Sequence, residues 1–286
     1  RARCAWISTC SRAKRLADMP ITSVNLPRNA PAPETSRSSA ETRRVALMRA
    51  WTRIGVLFNT TPATARVDLE QLLVDTAGVA RDDERLFVMA ASWLAEHHHL
   101  VDARRLGRHL DAADPNTSAT AGALCTMAAQ DTTGSTALKA AMTHCRPLVV
   151  WEPLFPVMGR YPGLLALIKE ETLPLFAQWG FWHNDAVLKQ NAIRPIGWIF
   201  QHCPELRLRA LLGTGLDAEV VELVMTAPRT VADVVRETGT SYAAAHAAAM
   251  RLHGRGLLSR QADKAWTVSP EATGVVRAVL RTRTSA

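Results

Sequence analysis

From Glu41 onward, Val45, Met48, Trp51, Ile54 and Phe58 recur at steps of three or four residues, which predicts a helix with one apolar stripe ending near Asn59. Pro62 then breaks the pattern. Val67, Leu69, Leu72, Leu73 and Thr76 predict a second helix with Gly78 near its end, Leu86, Val88, Met89, Trp93 and Leu94 a third, and Leu100 to Leu110 a fourth. Asp114, Pro115, Asn116 and Thr117 read as a turn, after which 119–130 and 136–145 resume helical composition. The texture changes between Arg146 and Pro204. Trp151, Trp179, Trp182 and Trp198 fall there with Phe155, Phe176, Phe181 and Phe200, and repeated prolines punctuate short helices. Such aromatics either line a ligand pocket or fill the gaps of an irregular core, and the lack of a convergent polar set beside them favours the core.

The C-terminal quarter has a different order. Val220, Val221, Val224 and Met225 predict one helix, and Val231, Val234 and Val235 a short second one. Glu237 to Thr240 forms a turn, and Ser241 caps a third helix. After Gly254 and Gly256 the period shortens: Leu257 to Ser259, a turn at Ala262, Asp263 and Lys264, then Ala265 to Val268. Helix, turn with glycine, helix and hairpin is the order of a winged helix-turn-helix. The expected fold is therefore mostly α. A helical domain at 41–203, Trp- and Pro-rich at its end, is followed by a winged helix-turn-helix at 204–286 with a small β-hairpin wing.

Length and composition agree with two globular domains, at 286 residues with 48% hydrophobic and 21% charged. No apolar run reaches the roughly 18 residues of a membrane span, so no membrane partner is expected. The net charge of +8 is unevenly placed. Residues 1–44 carry 9 Lys/Arg against 3 Asp/Glu, whereas 204–286 carry 11 against 8. Most of the excess thus lies in a leader, with a modest remainder on the segment that would meet nucleic acid. The leader, 1–40, lacks hydrophobic period and is expected to be disordered. The residues before Met19 are either a natural basic tail or a mis-called extension or fragment edge upstream of a true start there, and they have no apolar core of a secretory signal. Five widely spaced cysteines argue against a disulfide framework and for a cytoplasmic protein.

The segment TVADVVRETGTSYAAAHAAAMRLHGRGLLSR, residues 230–260, resembles bacterial winged helix-turn-helix regulators of the MarR and ArsR type. The resemblance covers about the last quarter of the chain. It gives Val235 the small buried place of the second helix, Gly239 the turn, Ser241 the cap, Leu252 the core leucine, and Gly256 with Leu257 the entry to the wing. It implies double-stranded DNA as partner, with Ser241, Tyr242, His246, Arg251, Arg255, Arg260 and Lys264 as DNA-binding residues. The departure lies on the third helix. With Ala245, Ala249 and Leu252 in the core, Ala243, Ala247 and Met250 face outward, and the place of Ala247 often carries a basic residue in the family. Alanine makes no bidentate contact to guanine, so affinity would come mainly from phosphates. The expected function is a DNA-binding transcriptional regulator whose helical domain supplies dimerisation or senses a small-molecule effector; a homodimer would join two half-sites. The alternative is an adaptor whose winged helix docks on protein.

Other chemistry is sparse. His97, His98 and His99 point about 100° apart and read as a solvated helix end. His144-Cys145 and His202-Cys203 supply four ligands in total, enough in principle for tetrahedral zinc, but adjacent residues ligate one ion poorly. Arg104, Arg105 and Arg108 read as a solvated helix face, and Asp82-Asp83-Glu84 and Glu170-Glu171 as helix-surface or first-turn charges. Phosphate-loop, dinucleotide, nucleophile-elbow and zinc-protease motifs are missing, and no enzyme activity, cofactor or metal is expected.

Overall fold

The computed structural model describes residues 34–130 and 135–280. The proposed start at Met19 and the basic leader before residue 34 lie outside the described residues. The chain is mostly α: fourteen α-helices and two two-stranded sheets occur among the described residues. No helix among them is long and apolar enough to cross a membrane.

Helix α1 (Glu34–Arg53) begins inside the segment expected to be an unstructured leader and stops before the expected Asn59. The stop has a backbone cause. Gly55 takes a left-handed φ of +101°, and Val56 pairs with Ile193 in an isolated antiparallel bridge. A Cβ at Gly55 would lie 3.0 Å from Ile199 Cγ1, so only glycine allows this close turn. Trp51 and Ile54 are fully buried as the stripe requires, whereas Val45 is exposed.

The next helices share one device. Asp68, Asp83, Asp102 and Asp114 each accept a hydrogen bond from the backbone N–H three residues on, which caps α2 (Leu69–Ala77), α3 (Glu84–His97), α4 (Ala103–Asp111) and α5 (Pro115–Ala129). The expected turn at Asp114 to Thr117 is therefore the start of α5. Asp followed by Pro signals a turn and a helix start equally well, and here Pro115 takes the first helical position. Helix α6 (Thr136–Met142) ends before His144 and Cys145.

The Trp- and Pro-rich stretch holds β1 (Glu152–Pro153), α7 (Pro162–Glu170), α8 (Pro174–Ala177), β2 (Phe181–Trp182) and α9 (Ile196–His202). Strands β1 and β2 run parallel, Glu152 opposite Phe181. Phe155, Phe176, Trp179 and Phe181 lie in the core. Trp179 covers Gly122, where a Cβ would sit 2.6 Å from the ring, and its Nε1 donates to Thr126 Oγ1 at 2.8 Å.

Two apolar cores share the unit Glu41–Ala286. The first runs from Leu47 to Leu206 and the second from Leu208 to Val276. They meet within α10 (Pro204–Leu212), which gives Leu206 to one and Leu208 to the other. The second core is built from α11 (Leu216–Thr226), α12 (Val231–Thr238), α13 (Tyr242–Gly254), the antiparallel hairpin β3 (Leu258–Arg260) and β4 (Trp266–Val268), and α14 (Pro270–Leu280).

Candidate nucleic-acid interface

Local chemistry sets the angle between α12 and α13. Thr230 and Asp233 form a reciprocal capping box that starts α12, with Thr230 N donating to Asp233 Oδ2 at 2.9 Å and Asp233 N to Thr230 Oγ1 at 3.2 Å. Glu237 and Thr238, expected in the turn, belong to α12, and Gly239 ends it at φ +64°. Ser241 then caps α13 by accepting from Ala244 N at 3.2 Å. Val231 and Val234 are the buried valines of α12, while Val235, given the buried place by resemblance, is only half-buried.

Along α13, Ala245, Ala248, Ala249 and Leu252 are buried, and Tyr242, Ala243, His246, Ala247 and Met250 are exposed. The outward face expected from the sequence is thus uncovered by the other described residues. Tyr242 and His246, one turn apart, have near-parallel rings with centroids 6.3 Å apart. The hairpin follows at once. Arg260 pairs in register with Trp266 and lays its guanidinium 5.8 Å from that ring, and Lys264 occupies the turn at φ +67°. Trp266 also exchanges two backbone hydrogen bonds with Arg229, of 3.1 and 2.7 Å, which tie the hairpin to the start of α12.

The seven candidate residues are not equally available. Ser241 already serves the cap. Arg251 and Arg255 both reach Asp217 of α11, at 2.7 and 3.4 Å, although more than half of each side chain stays exposed. Tyr242, His246, Arg260 and Lys264 are exposed and lack an ion pair within the described residues.

Sequence reasoning missed the seam between the two cores. Arg104, Arg105 and Arg108 are expected on a solvated helix face; Arg104 is exposed, but all three reach the C-terminal helices and Arg105 and Arg108 are half-buried there. Arg104 and Arg105 each lie 3.2 Å from Glu219, Arg105 also meets Asp68, and Arg108 Nη1 donates to Thr238 O at 2.5 Å. Arg66 pairs with Glu222 at 2.5 Å, and burial raises the Glu222 pKa against the pull of Arg66. Deepest is Arg209, which grips Glu70 through two bonds of 2.6 and 3.0 Å. Burial opposes the Arg209 charge, but Glu70 more than compensates and its pKa is raised. A polar cavity of about 660 Å³ opens beside this seam between α4, α11 and α12. The signal was present as basic triplet and acidic helix, but pairing of residues more than a hundred positions apart leaves no local pattern.

The remaining candidates resolve into packing. His97 is buried against Trp93, and not solvated as expected, because the segment carrying Arg194 covers it: its Nε2 lies 3.2 Å from Arg194 O. His144 meets Asp111 at 3.0 Å, His202 stacks on Trp198, and Cys203 Sγ donates to Arg53 O. Burial pushes the Cys145 and Cys203 thiols up to about 12 and raises Cys125 as well, so none is a ready nucleophile. Among the described residues no three His, Cys, Asp or Glu gather as a metal site. Asp83 caps α3, in keeping with a first-turn charge. No protein-family model, curated protein or solved structure matches the chain.

Proposed function

We propose that the chain is a DNA-binding transcriptional regulator of the cytoplasm, not an enzyme, and that its second core is a winged helix-turn-helix related to the MarR and ArsR type. The observation that carries this reading is the uncovered outer face of α13 next to a hairpin bearing Arg260 and Lys264. In such a module α13 enters the major groove of double-stranded DNA by its first turns, where Tyr242 and His246 stand, and the hairpin reaches the backbone. The small side chains of Ala243 and Ala247 let the helix approach closely. They leave sequence choice to Tyr242, His246 and the shape of the duplex, and phosphate contacts dominate affinity. The cavity at the seam, bordered by α12, is the place for a small-molecule effector, since a ligand there would touch both cores.

Gel shifts on genomic fragments at several salt concentrations test the reading. Binding should weaken steeply with salt, and Arg260→Ala or Lys264→Ala should lower affinity on every fragment and reduce the salt slope by about one each. Tyr242→Ala or His246→Ala should instead relax the preference among fragments, by about 1 to 3 kcal/mol where a base contact is lost. The lack of a basic side chain at Ala243, Ala247 and Met250 favours a second reading, an adaptor that docks this face on protein. A folded protein that binds no fragment at low salt would support the adaptor and reject the regulator.

A further inference from the structure

Of the fourteen large apolar side chains exposed among the described residues, seven lie between 149 and 167. Val149 and Val150 are 97% and 78% exposed and lead with Trp151 into β1; Val157, Tyr161, Leu164 and Leu167 follow. Helix α7 has the sequence PGLLALIKE, and only Ile168 of it is buried. Tyr161, Leu164 and Leu167 recur every third residue and stay exposed, and Leu164 stands one turn before Ile168, so the exposed apolar ridge flanks the buried edge of the helix.

We propose that this surface is a two-fold interface with a second copy of the chain, in which the two α7 helices pack antiparallel. Area is the first argument. The seven residues keep between 44% and 97% of their surface exposed, which for side chains of this size amounts to several hundred Å² in all. Gathered into one interface, that is a large share of the roughly 800 Å² each partner buries in a stable complex. Charge is the second. Arg160 stands just before α7 and Glu170 is its last residue; both are exposed and neither has an ion pair within the described residues. A two-fold axis near Leu165, midway between them, sets Arg160 of each copy beside Glu170 of the other and brings both Leu164 and Leu167 to the centre. Opposite charges at the two ends of one apolar ridge are self-complementary in this antiparallel arrangement alone. The same ends would repel in a parallel one. The surface lies in the stretch of chain between Leu47 and Leu206 that carries the first core, away from α13, and the interface does not depend on DNA binding.

Sedimentation velocity of the full chain without DNA, over a concentration series, tests the proposal. The wild type should sediment as a dimer, and Leu164→Glu or Leu167→Glu as a monomer with unchanged far-UV circular dichroism. Arg160→Glu and Glu170→Arg, both at solvated positions, should each weaken the dimer about tenfold or more, and the two together should restore it. A wild type that stays monomeric at every concentration overturns the proposal, including one that then binds lipid vesicles through this surface. So does a dimer indifferent to the leucine substitutions, or a charge pair whose combination rescues nothing. Because no arm contains DNA, a failed gel shift leaves this result intact, and a failed dimer leaves the DNA-binding reading to its own test.

Discussion

His97 shows how much one covering segment changes a residue's chemistry. With its Nε2 turned to the Arg194 carbonyl, that nitrogen carries the proton, and Nδ1 is buried without a partner. Burial, the largest influence, pushes the pKa down from 6.5 to about 4. The unfolded chain therefore takes up a proton before the folded one as pH falls below about 6.5. Stability should be lost from there down through about pH 4, by at most about 3 kcal/mol from this group. Thermal unfolding of wild type and His97→Gln from neutral pH to about pH 4 checks this: the variant starts less stable but should lose less on acidification. The 100° step expected to send the histidine rings apart does not hold past His97: His98 and His99 lie in a tighter 3-10 turn, and the His99 ring stands edge-on to both neighbours at about 6 Å. What covers His97 was not legible in the sequence, because Arg194 is 97 residues away and nothing in either segment marks the contact. The same holds for Arg108, whose carbonyl partner on Thr238 is 130 residues away.

At the scale of elements, legibility followed the strength of local signals. Helices α2 to α5 each carry an Asp cap; the apolar stripes of α2 and α3 placed them within a few residues, whereas α5, buried on almost every side, was expected only from residue 119. The turn glycine Gly239 and cap Ser241 fixed the start of α13, and its face followed from the 100° step. Strands β1 and β2, of two residues each, are too short for any period to register, and their pairing is parallel and non-local. Ser241 permits a test that separates cap from contact. Ser241→Ala should destabilise the fold by about 1 kcal/mol, whereas Ser241→Asp keeps a cap acceptor and favours the helix N-terminus. If Ser241 also faces phosphate in the proposed complex, the aspartate variant should keep the urea midpoint of wild type and lose DNA affinity through repulsion. Equal affinity with equal stability would confine Ser241 to the cap.

For the whole molecule, the seam explains why net charge understated the C-terminal segment. Glu205, Asp217, Glu219 and Glu222 point inward and are matched by Arg53, Arg251 with Arg255, Arg104 with Arg105, and Arg66. Their negative charge is thereby withdrawn from the outer surface, where Arg260 and Lys264 stand. Most of these arginines remain partly exposed, and such pairs contribute little each. Arg209 and Glu70 differ, with side chains 5% and 0% exposed. Glu70 also accepts from Asp102 N at 2.9 Å, and Arg209 also donates to Leu100 O at 3.2 Å, so the pair fastens α10 to α2 and to the start of α4 at once. Removing one partner strands a charge in a dry site, which typically costs about 3 to 5 kcal/mol. Glu70→Gln should thus destabilise strongly and, because α10 belongs to both cores, should split urea unfolding into two transitions as the second core separates from the first. Glu70→Leu combined with Arg209→Met removes both charges while keeping bulk. It should recover most of the lost stability, but Asp102 N and Leu100 O would still lack their partners. Circular dichroism and tryptophan fluorescence followed together decide the matter. Of the described tryptophans only Trp266 belongs to the second core, so the fluorescence change weighs towards the first and the two probes should diverge in Glu70→Gln and coincide in wild type. Coincident curves in Glu70→Gln would mean that apolar contacts through Leu206 and Leu208 couple the cores without the ion pair.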